Sequence, residues 1–564
     1  MSKIINFLKR NLFIIVVLLI TIPSFYALLR PGFFPMQDDM QVFRLKEMDI
    51  CIKDGQIPCR WIPDAGYGYG YPQYNYYSPF VYYLGEVFHL AGFQFIDSIK
   101  IVIILGFLLG ALFIYILAKA LFGQWGGLIA SVFYTYAPFK AQEIYVRGAL
   151  SEFWISVFYP LVLWAIYKLI KEGSRKYFFW TSVSIAGMFL AHNLLSILFI
   201  PVIVFWIIYW VIAEKKIRIW KTLTLSLALG FAMSSFFTLP LYFEKGYVHI
   251  ETLLGGYFGY MQHFVTLKEL FLSSHWGYGS SVLGPIDDLS LSTGIPHWIV
   301  GIIALVLALF NLKKNRKISL LILGLGAIEL VVLFLMHERS SFVWSVVKPL
   351  AYLQFPWRFL SISVVILSMF AAFVVQGLGK LKYILAILGL GAVLLLYGGF
   401  FRPQTWLNIS DQEKLSGEHW EKELTASIFD YLPIYAQFPP ESKAPDLPEI
   451  LNGSALFKNY YKGSNYQTGE LSVERDARIR LPLFDFPGMT VYLNDKKIEH
   501  THDDCSGEKF CHGLITFDAE KGKYSFKVKL ENTPVRNIGN WLSILGAAGL
   551  LVLVFKRNDK IFQK

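Results

Sequence analysis

The sequence predicts a polytopic α-helical membrane protein of about twelve transmembrane helices, with a small antiparallel β domain near the C-terminus. Of the 564 residues, 55% are hydrophobic and only 16% are charged, and the mean hydropathy is +0.47. Apolar runs of roughly 20 residues recur along the chain, which is the length that crosses a bilayer. A soluble chain of this length would carry more charge and divide into several domains.

The apolar runs place the predicted spans. The first run is expected to be a retained helix, because no small-residue cleavage site follows it. The predicted spans are residues 11–30, 98–120, 124–139, 150–169, 177–191, 194–213, 220–242, 296–311, 318–336, 356–377, 382–400 and 538–555.

The basic residues predict the orientation. Lys and Arg are concentrated in "MSKIINFLKR", "KLIKEGSRK", "EKKIRIWK", "LKKNRK", "GKLK" and "FKRNDKIFQK", each of which follows an even number of predicted crossings. Cytoplasmic loops carry such an excess of basic residues. We therefore expect a multi-pass protein of the cytoplasmic membrane with both termini inside and with residues 31–97, 244–295 and 401–537 outside.

Three parts are expected along the chain. Residues 1–400 form the transmembrane domain, residues 401–537 an outer β-rich domain, and residues 538–564 the last helix and a cytoplasmic tail. The β domain is predicted from alternating stretches such as "ARIRLPLFDF", "MTVYLNDKKIE" and "KYSFKVKLE", which are separated by turn residues.

The four cysteines all fall in predicted outer segments. Cys51 and Cys59 are close in sequence, as are Cys505 and Cys511, so an oxidising location predicts two local disulfides. The alternative for the second pair is a metal site within "HTHDDCSGEKFCH" (residues 500–512), although the spacing matches no zinc pattern.

Several catalytic motifs are absent from the sequence. It contains no G-x-x-x-x-G-K-[ST], no G-x-S-x-G and no H-E-x-x-H, and the glycines of "GYGYGYP" do not open a helix after a strand. ATP and sugar nucleotides are not expected at the outer face. An activated donor carried by a membrane lipid is expected there instead.

Polar residues cluster in the predicted outer segments and at the outer ends of the spans. We expect them to converge at the outer mouth of the helix bundle. They are Asp38, Asp39, Arg44, Glu143, Arg147, Glu152, His192, His275 and Arg358.

Each of these residues also has a purely structural interpretation. The acids could simply be solvated, and Arg147 with Glu152 could form an ion pair. His192 could hydrogen-bond a neighbouring helix. Arg358 could extend to the lipid headgroups, although a cation at that depth is also what a lipid phosphate requires.

The order of motifs resembles a known family. The first helix is followed by the acidic pair, "GQIPCRW", "GYGYGYPQYNYYSPFVYYLGEVFHLAG", "YAPFKAQEIYVRGALSEFW", "AHNLL" and "QFPWRFL". Over most of residues 1–400 this is similar to a bacterial multi-pass membrane family called 6-pyruvoyl-tetrahydropterin synthase-related, and with it to GT-C glycosyltransferases and YfhO-type proteins. The sequence holds no histidine cluster suited to pterin-synthase zinc chemistry.

The resemblance implies glycosyl transfer. It implies a GT-C-like fold with an interfacial helix at "SPFVYYLGEVFHLAGF" (residues 78–93) and a polyprenyl-phosphate sugar as donor. It also implies an envelope glycan, lipid or protein as acceptor, with inversion at the anomeric carbon. Membrane lipids are the other expected partners, and nucleic acid is not expected.

The resemblance also implies roles for the acids. Asp38, or Asp39 beside it, matches the first-loop acid that acts as general base or helps bind a divalent metal such as Mg²⁺ or Mn²⁺. Glu143 and Glu152 match the second outer loop, where related enzymes often place another acid, and the expected catalytic residues are Asp38, Asp39 and Glu152. This sequence has Gln37 and Gln41 where histidines are expected, which leaves the metal unassigned.

The remaining polar residues are expected to bind substrate. Arg358 matches a phosphate-binding position by its location, and Arg44, Glu143, Arg147, His192 and His275 are expected around the donor and acceptor. The alternative function is a transporter or flippase of lipid-linked glycan precursors, which would form no bond. A third interpretation is a scaffold whose β domain binds wall polymer, but twelve spans exceed what an anchor needs.

Overall fold

The computed structural model describes residues 2–282, 288–377, 381–503 and 511–555. Its α-helices are numbered here in chain order. They are α1 (Ser2–Thr21), α2 (Gln41–Lys53), α3 (Gln73–Tyr76), α4 (Phe80–Leu90), α5 (Phe95–Thr135), α6 (Pro138–Tyr145), α7 (Leu150–Glu172), α8 (Arg175–Ala191), α9 (Asn193–Ala213), α10 (Trp220–Met233), α11 (Ser235–Phe243), α12 (Leu267–Leu272), α13 (Ile295–Asn311), α14 (Arg316–Met336), α15 (Ser341–Val346), α16 (Leu360–Gly377), α17 (Lys382–Tyr397), α18 (Asp411–Lys414), α19 (Gly417–Thr425) and α20 (Pro534–Phe555).

Seven helical segments in the described part of the chain are long and apolar enough to cross a membrane. Three shorter apolar helices, Asn11–Ser24, Ile295–Phe310 and Ala386–Phe400, coincide with further predicted spans. The polytopic helical class is confirmed, while the number twelve stays a prediction. The long segments are Phe95–Thr135, Leu150–Glu172, Asn193–Ala213, Ile217–Phe243, Arg316–Met336, Pro356–Gly377 and Pro534–Phe555.

The 41-residue helix α5 corresponds to two predicted spans. It breaks at Gly123, whose φ of 75° and ψ of −178° are not helical. Glycine adopts a positive φ without the steric penalty of a side chain. The break lies between the predicted spans 98–120 and 124–139.

The bundle has a buried centre and a lipid-accessible periphery. The most apolar windows of α7 and of Pro356–Gly377 are 89% and 94% buried, whereas that of α20 is 17% buried. Helices α5, α7 and α16 pack against one another. The helix ends that frame the site described below therefore belong to the most rigid part of the molecule.

Residues 31–97 fold into a compact first loop over one end of the bundle. It contains α2, α3 and α4, and a disulfide joins Cys51 to Cys59. Helix α4 lies within the predicted interfacial helix. Cys505 lies outside the described residues.

The C-terminal domain is a single antiparallel sheet. Its strand order is β4-β3-β7-β2-β6-β5, with β1 paired to the other edge of β2. The strands are β1 (Glu449–Lys462), β2 (Tyr466–Phe484), β3 (Met489–Leu493), β4 (Lys496–Ile498), β5 (Thr501–His502), β6 (Leu514–Ala519) and β7 (Gly522–Leu530).

Strand β2 organises this sheet. Its first half pairs with β7 and its second half with β6, so β6 and β7 follow one another along the same edge. The "ND" turn between β3 and β4 has Asn494 and Asp495 at φ values of 52° and 60°, which suits a tight hairpin. The three alternating stretches of the sequence correspond to β2, the β3–β4 hairpin and β7.

The segment before the sheet packs against the first loop. The sheet begins at Glu449, so residues 401–448, called the connecting segment below, contribute no strand to it. Phe33 and Leu407 exchange backbone hydrogen bonds of 2.9 and 2.7 Å, and the Asp411 carboxylate accepts from the backbone N–H of Phe95 at 2.6 Å. We call this end of the bundle the sheet-side end.

A buried ion pair attaches the last helix at the same end. Arg536 of α20 donates from Nε to Glu244 Oε2 at 2.9 Å, and Asn75 of the first loop donates to the same oxygen at 3.0 Å. Buried charges persist only when they are paired and hydrogen-bonded. This network joins α20, the end of α11 and the first loop.

Candidate functional site

Backbone hydrogen bonds hold the acidic motif beside the loop between α6 and α7. The Gln37 N–H donates to Val146 O at 3.0 Å, and the Asp38 N–H donates to Arg147 O at 2.9 Å. These bonds place Asp38 next to the second predicted outer loop, as expected from convergence at one end of the bundle.

The Asp38 carboxylate is paired on one side and accessible on the other. Its Oδ2 accepts from Arg44 Nη1 at 2.8 Å and from Gln41 Nε2 at 3.0 Å, and the Tyr77 hydroxyl lies 3.4 Å away. Its side chain is nevertheless 32% exposed. A substrate group can therefore approach a carboxylate whose position is already fixed.

Arg44 is the buried cation of this group. Its side chain is 2% exposed, and the guanidinium lies 4.2 Å above the ring centroid of Tyr77. Burial alone would lower the pKa of Arg44, but the charge and hydrogen bond of Asp38, together with Tyr77 and Tyr82, hold that pKa well above its ordinary value. Arg44 therefore stays charged.

The tyrosine-rich stretch surrounds Arg44. The Tyr74 hydroxyl donates to the Arg44 carbonyl at 2.5 Å, and the Tyr82 hydroxyl donates to Gln41 Oε1 at 2.7 Å. Together with Tyr77, these side chains lie in the protein interior around the Asp38–Arg44 pair. Their role in the structure is to position the ion pair.

Two arginines share one carboxylate beside Asp38. Arg147 contacts Glu152 through both terminal nitrogens, at 2.8 and 2.7 Å, and Arg358 contacts Glu152 Oε1 through Nε at 3.1 Å and Nη2 at 2.8 Å. Fork-shaped pairs of this kind combine energy with fixed geometry. Arg147 and Glu152 thus form the ion pair that their structural interpretation predicts, and Arg358 is a second cation bound to the same carboxylate.

Arg358 is held in place from its other side as well. Its Nη1 donates to the Leu353 carbonyl at 2.6 Å and to Gln354 Oε1 at 3.0 Å. Gln354 has a φ of 59°, a conformation that is costly for a residue with a side chain. The turn before α16 therefore presents a fixed guanidinium to the site.

Asp39 differs from Asp38 in its partner. Its Oδ2 accepts from Lys414 of the connecting segment at 2.9 Å, and Lys414 also contacts Glu423 at 3.0 Å. Burial raises the pKa of Asp39, which the charge of Lys414 partly opposes. Asp39 thus joins the first loop to the connecting segment, and its side chain is 28% exposed against 32% for Asp38.

We expect Lys414→Met to loosen the connecting segment. The change leaves the carboxylates of Asp39 and Glu423 without their shared cation, and losing one partner of a largely buried pair costs about 2 kcal/mol once the partial exposure of Asp39 is discounted. Amides of residues 411–425 should then exchange with deuterium roughly thirtyfold faster.

The matched control for this prediction is Lys443→Met. Lys443 pairs with Glu421 on the exposed surface of the connecting segment, where an ion pair contributes little to stability. Equal exchange rates in the Lys414 and Lys443 variants would contradict the proposed stabilisation.

Glu143 is remote from any approaching substrate. Its side chain is fully buried and pairs with Lys140 Nζ at 3.1 Å. Burial raises the pKa of Glu143 and lowers that of Lys140. The structure places Glu143 behind the surface of the site, where it supports the short helix α6.

The two histidines lie in different surroundings. His192 caps α9, and its Nδ1 accepts from the Leu195 N–H at 3.4 Å, as its structural interpretation predicts. His275 is exposed in the loop between α12 and α13, and Gly279 of the same loop accepts a hydrogen bond from Gln37 Nε2 at 2.8 Å.

Sequence reasoning missed Asp430 in the connecting segment. The charges of Asp38 and Arg44 both act on its carboxyl, and burial raises the pKa of Asp430 to about 6. Nothing in "SIFDYLP" marks this acid, since its neighbours come from residues almost 400 positions away in the chain. Only the docking of the connecting segment onto the first loop reveals it.

The donor set does not fit a divalent metal. No cluster of three acidic, histidine or cysteine side chains suited to a metal occurs within the described ranges. Asp38 Oδ2 is bonded to Arg44, and Asp39 Oδ2 is bonded to Lys414. Mg²⁺ and Mn²⁺ prefer several oxygen ligands, and these two cation-bound carboxylates do not provide such a set.

The fold and these polar groups define a polytopic helical membrane protein with a polar site at one end of its bundle. The chain belongs to the family described as 6-pyruvoyl-tetrahydropterin synthase related domain, membrane protein, whose model matches residues 74–401. That match covers more than half of the chain and includes Glu152, Arg358 and the tyrosine-rich stretch from Tyr74 onward.

A curated relative comes from Lactococcus lactis subsp. cremoris (strain MG1363), where it is described as an uncharacterized protein. The two are 24% identical over 335 residues, which are 56% of this chain and 52% of the relative. The chain thus spans about half the length of the curated relative that it matches.

Solved structures with a partly similar arrangement include two glycosyltransferases. The mycobacterial arabinofuranosyltransferase AftD gives a TM-score of 0.46 at 15% identity, over 71% of this chain and 27% of AftD. The apo oligosaccharyltransferase of Archaeoglobus fulgidus gives 0.43 at 12% identity, over 78% and 62% of the two chains. The same enzyme tethered to an acceptor peptide gives 0.42 at 13% identity, over 72% and 56%.

Proposed function

We propose that this protein transfers a sugar from a polyprenyl-phosphate donor to an envelope glycan, lipid or protein, with inversion of the anomeric carbon. The observation that carries the proposal is one partly exposed carboxylate, Asp38, whose backbone N–H donates to the carbonyl of Arg147 at 2.9 Å, while the guanidinium groups of Arg147 and Arg358 share Glu152. An acid next to cations is what a sugar joined to a phosphate requires of a transferase site.

The location of the site suits a donor carried by a lipid. Asp38 lies in the first loop between α1 and α2, and Arg358 directly precedes the apolar helix α16. A lipid phosphate lies at the same level, where the hydrocarbon core meets water. The basic-residue pattern places this end outside the cytoplasmic membrane, with both termini inside.

The arginines provide the charge for the leaving group. Arg147, Arg358 and Glu152 together carry one net positive charge, and Glu152 fixes both guanidinium planes before substrate binds. Donors that are already oriented stabilise a developing phosphate charge without reorganising during the reaction. Arg side chains also match the geometry of phosphate oxygens.

In the proposed reaction, Asp38 removes the proton from the acceptor hydroxyl. The hydroxyl oxygen forms a bond to C1 of the sugar while the bond from C1 to the phosphate oxygen breaks, and the electron pair leaves with the phosphate. One displacement inverts C1. Arg44 and Gln41 hold the Asp38 carboxylate for this step.

A flippase of lipid-linked glycans is the second candidate. One observation favours it, namely Glu329 in α14, which is 4% exposed inside a segment long enough to span the membrane. Buried carboxyls within spans often belong to transport pathways. The charged side chains of the proposed transfer site, however, lie at one end of the bundle rather than along a pathway. They are those of Asp38, Arg44, Arg147, Glu152 and Arg358.

One assay separates the two functions. The purified protein would be reconstituted in sealed vesicles with polyprenyl-phosphate sugars labelled in the sugar and with total envelope acceptors. Transferase activity moves label from the lipid pool into the acceptor pool. Label that changes leaflet but stays on the lipid would support the flippase and contradict the transferase.

A further inference from the structure

We infer that two aromatic side chains, Phe355 and Trp357, are positioning residues of the proposed phosphate site. The inference rests on the proposed function and deepens it. Arg147 Cζ lies 4.4 Å from the ring centroid of Trp357. Arg358 Cζ lies 4.8 Å from the ring centroid of Phe355. The two rings stack on each other, with centroids 4.8 Å apart and an angle of 23° between their planes. One aromatic pair thus supports both cations.

A ring face can position a guanidinium group without using its N–H groups. A cation above an aromatic ring is attracted by the electrons of the ring, while the five N–H donors of arginine lie in the plane of the guanidinium. A second carboxylate would also hold the cations, but it would cancel their remaining charge. Arg147 and Arg358 share the single carboxylate of Glu152, so the rings hold them and leave one positive charge for a phosphate.

The unused N–H groups indicate which arginine contacts the phosphate most. Arg147 donates two of its five N–H groups to Glu152, and its guanidinium meets no other acceptor in the part of the chain that the structure describes, so three remain. Arg358 donates in four hydrogen bonds, to Glu152, the Leu353 carbonyl and Gln354, so one remains. Arg147 can therefore offer a phosphate more hydrogen bonds, and Trp357 is the ring that positions it.

A chain of hydrogen bonds fixes Trp357 in turn. Its Nε1–H donates to Ser281 Oγ at 3.3 Å, and Ser281 Oγ lies 2.7 Å from His263 Nδ1. His263 Nε2 lies 2.5 Å from the Tyr257 carbonyl. Because a carbonyl only accepts, Nε2 carries the proton, and Nδ1 accepts from the Ser281 hydroxyl. Burial lowers the pKa of His263, in agreement with this neutral form.

The segment between α11 and α13 contacts both halves of the proposed site. His263 and Ser281 hold the aromatic pair, and the His263 ring also packs edge-on against Phe355 with centroids 4.6 Å apart. The Gly279 carbonyl accepts from Gln37 Nε2 at 2.8 Å, next to Asp38 in the chain. This segment therefore joins the support of the arginines to the acidic motif.

The first test compares the KM for the lipid donor in tryptophan variants. Trp357→Leu should raise it about tenfold, with less than about a twofold change in kcat and acceptor KM, because the arginine loses its stacked ring. Trp357→Phe keeps a ring and should restore most of the donor KM. Trp344→Leu is the matched control, because Trp344 is also 1% exposed but carries no guanidinium within the described ranges. Equal effects of Trp344→Leu and Trp357→Leu, or no restoration by phenylalanine, would overturn the inference.

The second test needs no transfer activity. Labelled polyprenyl phosphate and unphosphorylated polyprenol of the same length would be bound to the purified full-length protein in detergent. Trp357→Leu should weaken binding of the phosphate about tenfold and leave binding of polyprenol unchanged. Ser281→Ala, a smaller change for the case that Trp357→Leu does not fold, should weaken binding of the phosphate about threefold.

The outcomes of the binding test are distinct. Weaker binding of both lipids, of neither, or a wild type with no preference for the phosphate would overturn the inference. A wild type that binds the phosphate with the expected dependence on Trp357, but transfers no sugar, would contradict the proposed function alone.

Discussion

Asp38→Asn is expected to lower kcat/KM for sugar transfer about a thousandfold. The amide keeps the size of the side chain but cannot remove a proton, and a positioned general base contributes roughly 10²- to 10⁴-fold. Initial rates of label transfer in the vesicle assay measure the loss. Because only the chemical step needs the base, binding of the lipid donor should change little.

The neighbouring acid provides the control. Asp39→Asn changes the same charge one residue away, but its carboxylate faces Lys414 rather than the open side of the site. It should keep more than about a tenth of the wild-type rate. Asp38→Asn also leaves Arg44 without its charged partner, so thermal unfolding of both variants must be compared. Full activity of a folded Asp38→Asn protein would remove Asp38 from the mechanism.

Arg358→Met is expected to raise the KM for the lipid donor about a hundredfold. The variant keeps a side chain of similar length and leaves the Arg147–Glu152 pair, but the cluster loses its net positive charge. A charge-assisted contact to phosphate contributes roughly 2–3 kcal/mol. Steady-state kinetics with donor and acceptor varied separately should show the effect on the donor.

Arg358→Lys distinguishes charge from geometry. Lysine restores the charge but not the fork that contacts Glu152 and Gln354 together, so it should recover only part of the donor affinity. A donor KM that is unchanged in Arg358→Met would contradict the phosphate-binding role. A rise in acceptor KM alone would move Arg358 to the acceptor side.

Much of the architecture follows from local patterns in the sequence. Apolar runs locate the helices because a span of fixed length must satisfy its own backbone, and alternation locates β2 and β7. The break at Gly123 coincides with a gap between two predicted spans. Arg147 and Arg358 precede the spans α7 and α16, and backbone hydrogen bonds of 3.0 and 2.9 Å hold Gln37 and Asp38 beside the first of these ends.

The partners of the acids were not predictable in the same way. Asp39 meets Lys414 across 375 positions, so this contact leaves no local signal in the sequence. The prediction also assigned residues 401–448 to the β domain. Their lack of regular alternation gave no indication that this segment packs on the first loop and lines the site.

The most direct measurement of the central claim is where the donor binds. A polyprenyl-phosphate sugar with a photoactivatable group on the sugar would be crosslinked to the wild-type protein, and the labelled peptides would be mapped. We expect label in residues 33–48 and 145–155, and a lower yield in Arg358→Met. Label confined to the lipid-facing surfaces of α13 and α14 would contradict a transfer site at Asp38.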